Sequence, residues 1–417
     1  MVNNKLLIIS YYWPPSGGSG VQRWLNFSNK LVKMGWDITV FTAENANYPI
    51  LDKNLEYTID KSVKVFRIPI FEPVGFFKKN NTDNIKSSSF FSKIILWFRA
   101  NLLFPDSRMF WIKKVSSEGI KYVRENNIDC LITSAPPFST HIIGLNIKKE
   151  TNVKWVSDFR DPWSDFFQFK FFPMSSFIKN KHLKFESKCL NFSDTVITTS
   201  PSLTEKYSLK NSNSFTITNG FNDTIINNET NKFLIMYSGV MKSIQNPVNF
   251  WKVLSEICKE NHDFSRDLVV RFIGDFDTDI LNSNDIKLIE SKIKFENYLD
   301  KSELDIEMSK ARVLILSSVN LDSVDNIIPG KLFYYFSFNR PIIAFSKLNS
   351  DVSDIISKTN TGRVFDYSNE IDLKNYILEL YSNYKSKKNS FNPIGLSSFT
   401  YNNLSKNLND LLKKTIK

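Results

Sequence analysis

Lys154-Trp155-Val156-Ser157-Asp158-Phe159-Arg160-Asp161-Pro162-Trp163 is the stretch where the apolar pattern of a buried strand stops and a dense cluster of charge begins. Residues 153–156 read as a short strand. Asp158, Arg160 and Asp161 follow at once, ahead of a proline that continues neither a central strand nor a helix interior. In open α/β sheets the ligand crevice lies outside the carboxyl ends of the strands, so these three side chains are placed to meet a substrate. The plainer alternative is an Asp–Arg pair that pins a loop.

Outward from this strand the same pattern repeats. Continuous apolar runs at residues 5–10, 37–42, 63–68, 129–133, 194–199 and 214–218 read as parallel strands buried on both faces. A glycine-rich loop, residues 14–20, follows the first and opens a helix over 21–34. A helix amino terminus of that kind presents unpaired N–H groups and partial positive charge to an anion. After the polar residues 222–232, runs at 233–238, 268–273, 293–296, 313–317, 341–345 and 363–365 form a second βα series. Two domains are therefore expected, residues 1–221 and 222–396, with an amphipathic final helix in 397–417 carrying Leu404, Leu408, Leu411 and Leu412 on one face.

Composition narrows the functional classes. At 417 residues with 42% hydrophobic and 23% charged side chains, the chain is globular rather than disordered. Its formal net charge of +11 points to an anionic surface or substrate. Lysine is spread along the chain and no nucleic-acid motif is present, so an anionic membrane is preferred to nucleic acid. Cys130, Cys189 and Cys258 form no CxxC, and His141, His182 and His262 form no HExxH; a reducing compartment and no metal site are expected. The apolar run at 6–10 is too short for a signal-peptide core, and no segment has the ~18 apolar residues of a spanning helix. Residues 71–111 break the strand series with Phe90-Phe91, Ile94-Ile95, Trp97-Phe98 and Leu102-Leu103-Phe104 at helical spacing. That aromatic load suits a membrane interface or packing on the chain's own domain. Phe166, Phe167, Phe169, Phe171 and Phe172 add a second ring-rich segment, expected to meet lipid or a partner.

The run WVSDFRDPW resembles the DFRDPW signature of bacterial glycosyltransferases related to family four. YYWPPSGGSGVQRW at 11–24, TSAPPFSTHIIGL at 133–145, ITNGFN at 217–222, YSG at 237–239, RFIGD at 271–275 and PGKLFYYFSFNRPIIAF at 329–345 fit the same family in the same order. The resemblance implies the GT-B fold, in which two Rossmann-like α/β domains face across a cleft and the chain end crosses back over the first. It implies transfer of a sugar from a nucleotide-diphosphate donor to a surface-glycan or lipid-linked (polyprenyl) acceptor, retaining and metal-independent, by a cytoplasmic enzyme peripheral on the inner face of the membrane. No cofactor beyond the nucleotide-sugar co-substrate is implied.

Residue by residue, the resemblance makes Asp158, Arg160, Asp161 and His141 the catalytic or acceptor-contacting set. Gly17, Gly18 and Arg23 become contacts to donor phosphate or acceptor. Gly239, Lys242 and Lys331 are implied for the donor phosphates, and Tyr298 and Leu299 for its base. Asp275-Phe276-Asp277 imitates the metal-binding DxD of the other large glycosyltransferase fold and is read as structural. The chain departs at the ribose site. Tyr334 and Asn326 occupy the two positions where related enzymes carry carboxylates, with Asp322 and Asp325 nearby. A catalytically impaired GT-B module or a GT-B sugar-nucleotide epimerase are the alternatives.

Overall fold

The computed structural model describes residues 4–72, 90–222, 225, 228, 230–321, 327–388 and 391–417. Asn326, Asp322 and Asp325 lie outside the described residues. The chain divides into two compact units, Met1–Thr218 with Tyr401–Lys417, and Asn219–Thr400.

Unit 1 is built on seven parallel strands, β1 (Lys5–Ser10), β2 (Asp37–Glu44), β3 (Lys64–Pro69), β4 (Cys130–Ala135), β5 (Lys154–Phe159), β6 (Thr195–Thr198) and β7 (Ser214–Thr216), in the order β3-β2-β1-β4-β5-β6-β7. The strand order reverses between β1 and β4, which places the ligand crevice of such a sheet at their carboxyl ends. Register fixes what stands there: Ser10 pairs with Ser134, and Ser134 with Asp158. Both faces are covered, which is why these strands read as unbroken apolar runs. One face carries Trp111, Phe138, Trp155, Phe159 and Trp163; the other carries Trp13, Trp24, Phe27 and Trp36.

The final helix, Tyr401–Ile416, belongs to this second face. Its Leu404, Leu408 and Leu412 join the cluster, Tyr401 meets Phe27 edge to face at 5.4 Å, and Trp36 Nε1 donates to Asn409 Oδ1 at 3.0 Å. Each buried leucine contributes about 1.5–3 kcal/mol, so a tail at the end of the sequence becomes part of the first core.

Unit 2 repeats the architecture with β8 (Phe233–Ser238), β9 (Leu268–Ile273), β10 (Ile293–Glu296), β11 (Val313–Ser317), β12 (Ile342–Phe345) and β13 (Gly362–Phe365), all parallel in the order β10-β9-β8-β11-β12-β13. Its switch point lies between β8 and β11. Within this unit Phe221 N–H donates to Phe399 O at 3.2 Å, so the chain is paired from its first residues here.

Candidate functional site

At the carboxyl end of β5 the charged cluster resolves into three different environments. Asp158 is fully buried and its carboxylate is saturated. It accepts from Arg23 Nη2 at 2.8 Å and Nε at 3.1 Å, from Trp24 Nε1 at 2.6 Å and from Ser134 Oγ at 2.8 Å. Arg23, 1% exposed, spends a third N–H on the Thr218 carbonyl at 2.8 Å. The pair joins the first helix, two strands and the last residue of the first segment of unit 1. With no solvent face, the Asp158 carboxylate is bound by side chains of the fold rather than presented to the crevice. Arg23, expected at a donor phosphate, instead neutralises it.

Arg160 is half-buried and acts as a staple. Its Nε donates to Ala135 O at 3.3 Å, Nη1 to Gly20 O at 2.9 Å and Nη2 to Pro136 O, with the guanidinium 5.8 Å from the Tyr12 ring centroid. It thereby holds the glycine-rich loop against the loop after β4. Asp161 is the uncommitted member. It is half-buried, accepts no hydrogen bond among the described residues, and is raised above the usual aspartate range by burial, an effect that Arg160 opposes. Trp163 closes the stretch inside the core, stacked on Phe138 at 5.1 Å and donating through Nε1 to His182 Nδ1 at 2.9 Å.

His141 lies in the core. It lies in the first turn of the helix Ser139–Thr151, whose residues Ser139 to Leu145 are all buried, and its ring packs 4.1 Å from that of Phe159. Gly144 lets this helix approach: a Cβ there would stand 2.6 Å from the Trp155 ring. His141 Nδ1 bonds Thr133 Oγ1 at 2.8 Å, Nε2 has no partner among the described residues, and burial lowers its pKa to about 3. It is a neutral core histidine, not a solvent-facing acid or base. Glu186, which sequence reasoning passed over, anchors the signature loop from below. It is 4% exposed and accepts from Trp163 N–H at 3.1 Å, Ser164 Oγ at 2.5 Å and Tyr207 Oη at 2.5 Å.

The glycine-rich loop is likewise committed. Gly17 N–H donates to Ile50 O at 2.9 Å and so is not free for a phosphate, while Gly18 immediately precedes the helix Ser19–Lys33. The five phenylalanines after the signature divide: Phe166 and Phe169 pack on the core, whereas Phe171 is 43% exposed. The helix Phe90–Leu102 turns Trp97, Phe98 and Leu102 to solvent.

In unit 2 the switch point is occupied by Gly239 and Lys331. Gly239 has φ +107, and a Cβ there would stand 2.9 Å from Lys331 Cε, so glycine is what lets the lysine lie along the backbone. Lys331 Nζ sits 3.9 Å over the Tyr237 ring, contacts Tyr237 Oη and donates to Val240 O at 3.3 Å. No carboxylate pairs with it among the described residues, and burial lowers its pKa to about 7. Tyr237 is no counter-ion, since burial raises its phenol well above the ordinary value.

Lys242 is differently placed, 3.4 Å from Asp277 and 3.7 Å from Asp275, and Asp277 also accepts from Ser243 N–H at 2.8 Å. The Asp-Phe-Asp run therefore holds a lysine and a turn. Beyond β10, Tyr298 is 51% exposed and Leu299 packs with Tyr334 on the second core. Tyr334 Oη donates to Asp305 Oδ1 at 2.7 Å, and Lys301 lies 4.4 Å over the tyrosine ring while pairing with the same carboxylate. A carboxylate is thus present beside Tyr334, supplied by the helix Lys301–Met308.

No protein-family model matches the chain, and no curated protein matches its sequence. Solved structures do. Sucrose-phosphate synthase from Thermosynechococcus elongatus superposes with a TM-score of 0.58 at 13% identity, covering 100% of this chain and 95% of that one. HepE from Anabaena, in complex with UDP and glucose, gives 0.60 at 12% identity over 99% and 100%. TarM gives 0.61 at 12% identity over 99% and 96%. Likeness along the whole chain, together with two parallel sheets each reversing order at its first strand, shows that this protein has the GT-B fold of nucleotide-sugar glycosyltransferases.

Proposed function

We propose that the protein transfers a sugar from a nucleotide-diphosphate donor, held by unit 2, to a surface-glycan or lipid-linked acceptor, held by unit 1. The observation that carries this reading is Lys331, a cation without a carboxylate partner among the described residues, lying against Gly239 at the switch point of the second sheet. Departure of a nucleoside diphosphate develops negative charge on the distal phosphate, and a fixed cation there stabilises that charge. Transfer is taken as retaining and metal-independent, as the resemblance implies. Tyr334 with Asp305 is assigned to the ribose end of the donor, Tyr298 and Leu299 to the base. On unit 1, Arg160 fixes the loops and Asp161 is the carboxylate left to engage an acceptor hydroxyl.

A melting series with UDP, GDP and their sugar conjugates tests this. A ligand at a hundred times its dissociation constant stabilises by about 2.7 kcal/mol, and absence of any shift would move the reading to a non-catalytic module. The neighbours also include a UDP-N-acetylglucosamine 2-epimerase from Listeria monocytogenes. Turnover of the sugar nucleotide without added acceptor would favour that second reading.

Asp161→Asn is expected to leave the stability within about 0.5 kcal/mol of wild type, because no bond is lost, while cutting transfer by about 10²–10⁴-fold. Wild-type turnover in that variant would remove Asp161 from the chemistry.

Peripheral contact with an anionic cytoplasmic membrane belongs to the same proposal. Trp97, Phe98 and Leu102 project from one helix, and Phe171 and Phe177 from the turn Phe167–Phe171 and the helix Ser176–Phe192 that follow the signature. Asn101 ties the two, donating to Pro173 O at 2.9 Å and accepting from Ser175 N–H at 2.8 Å. Lys93, Lys170 and Lys179 are exposed on the same elements. The described residues contain no helix long and apolar enough to cross a membrane. Flotation with phosphatidylglycerol vesicles should occur at low salt, weaken as the Debye length contracts from ~10 Å at 0.1 M to ~3 Å at 1 M, and fall in a Trp97→Ser, Phe98→Ser variant. Failure to float at low salt would assign these rings to packing.

A further inference from the structure

The helix Phe90–Leu102 faces two ways. Opposite Trp97 and Phe98, its Arg99 and Ala100 line a cavity of about 280 Å³ in unit 1. Tyr12 from the loop after β1, Pro136 to Phe138 from the loop after β4, and Phe166, Phe169 and Phe172 from the segment after β5 complete the walls. The cavity therefore stands outside the carboxyl ends of the strands at the first switch point.

Its charges are unevenly satisfied. Arg108 has a counter-ion, with Nε 3.1 Å from Glu72 Oε1, and its Nη1 donates to Ser107 Oγ at 2.7 Å. Asp106 is spent: it accepts from Ser139 N–H and Arg108 N–H, each at 2.9 Å, and from the Ser139 hydroxyl. His182 holds Trp163 through Nδ1 and is kept neutral by burial, with a pKa of about 4. Arg99 is left over. It is half-buried, 5.5 Å from the Phe172 ring centroid, with no carboxylate within ion-pair distance among the described residues. A guanidinium stays charged at any working pH, so partial burial without an anion is a standing cost that an arriving oxyanion removes. The rings beside it offer apolar faces of the kind that stack on sugars or prenyl chains.

We propose that this cavity receives the phosphate of a phosphorylated acceptor, with Arg99 reading the phosphate and Phe169 and Phe172 flanking the carbon skeleton attached to it. The inference rests on the reading that unit 1 holds the acceptor, and it names that acceptor's chemical class. Two sources carry the same group: a prenyl phosphate entering from a membrane, or a free sugar phosphate.

Calorimetry on the full chain with farnesyl phosphate, farnesol, glucose 1-phosphate and glucose tests it. At least one phosphorylated probe should bind about tenfold or more tighter than its phosphate-free partner, the effect of a charge-assisted pair. A preference confined to farnesyl phosphate assigns the lipid source; one confined to glucose 1-phosphate assigns the sugar. Arg99→Gln should erase the preference, Arg99→Lys should retain part of it, and UDP affinity should be unchanged in both. The proposal is overturned if phosphorylated and plain probes bind alike, if Arg99→Gln keeps the wild-type preference, or if that variant weakens UDP equally. Loss of the wider transferase reading has its own signature, no nucleotide binding to the wild-type protein.

Discussion

Lys331→Met is expected to weaken UDP and GDP binding by about 10–100-fold while raising the melting temperature at neutral pH. The first effect follows from removing a charged donor, worth roughly 1.5–3 kcal/mol. The second follows from the lysine's surroundings: its pKa is lowered to about 7 by burial, with no carboxylate to compensate among the described residues. The folded state therefore binds its proton less readily than the unfolded chain does. Between the folded value near 7 and the ordinary lysine value of ~10.4 the unfolded state holds more protons, so stability rises with pH across that window; below it the full penalty of the buried charge is present. Methionine removes that penalty. The same titration makes nucleotide affinity in the wild type fall as pH rises through 7, because the ligand selects the charged amine. Calorimetry across this range, with a melting curve of each protein, decides the matter. A variant that melts lower and binds UDP normally would make Lys331 a structural residue and take the carrying observation away from the proposed function.

The strands were legible for a physical reason. In a parallel sheet covered on both faces a central strand is buried along nearly its whole length, so β1 and β8 appear as apolar runs that stop where the sheet stops, whereas β4 and β5 run on past theirs, to Ala135 and Phe159, and take Ser134 and Asp158 into the sheet. Charge at those stops was less readable, because sequence shows that a carboxylate is present and not what meets it. Asp158 and Arg23 are 135 positions apart. A signal did exist: Arg23 lies in the buried stripe of its helix beside Trp24 and Phe27, where an arginine is tolerated only with a buried partner. His141 carried a similar warning, since it is followed at once by the apolar run Ile142-Ile143 of its helix. Tyr334 looked like the loss of a carboxylate; Asp305, on another helix, stands against it, and only the fold brings the two together.

Asp158→Ala is expected to cost about 3–5 kcal/mol of stability. The carboxylate takes hydrogen bonds from Arg23, Trp24 and Ser134, all within the core of unit 1. Its removal leaves a buried guanidinium without its anion and an indole N–H without its acceptor, and the uncompensated charge dominates the loss. For a unit of this size 1 kcal/mol shifts the melting temperature by about 2–4 °C, so a fall of roughly 6–20 °C is expected. Replacing both partners, Asp158→Leu with Arg23→Met, should recover much of it, since an apolar pair of similar volume leaves no stranded charge. The bond from Arg23 to the Thr218 carbonyl would still be lost, so recovery should be incomplete. Asp161→Asn, three residues along, strands nothing and should melt as wild type. Melting curves of these three proteins separate positioning from chemistry within one strand end. If Asp158→Ala melted at the wild-type temperature and lost only transfer, the buried pair would not be what holds the strand end, and Asp158 would return to the reacting groups.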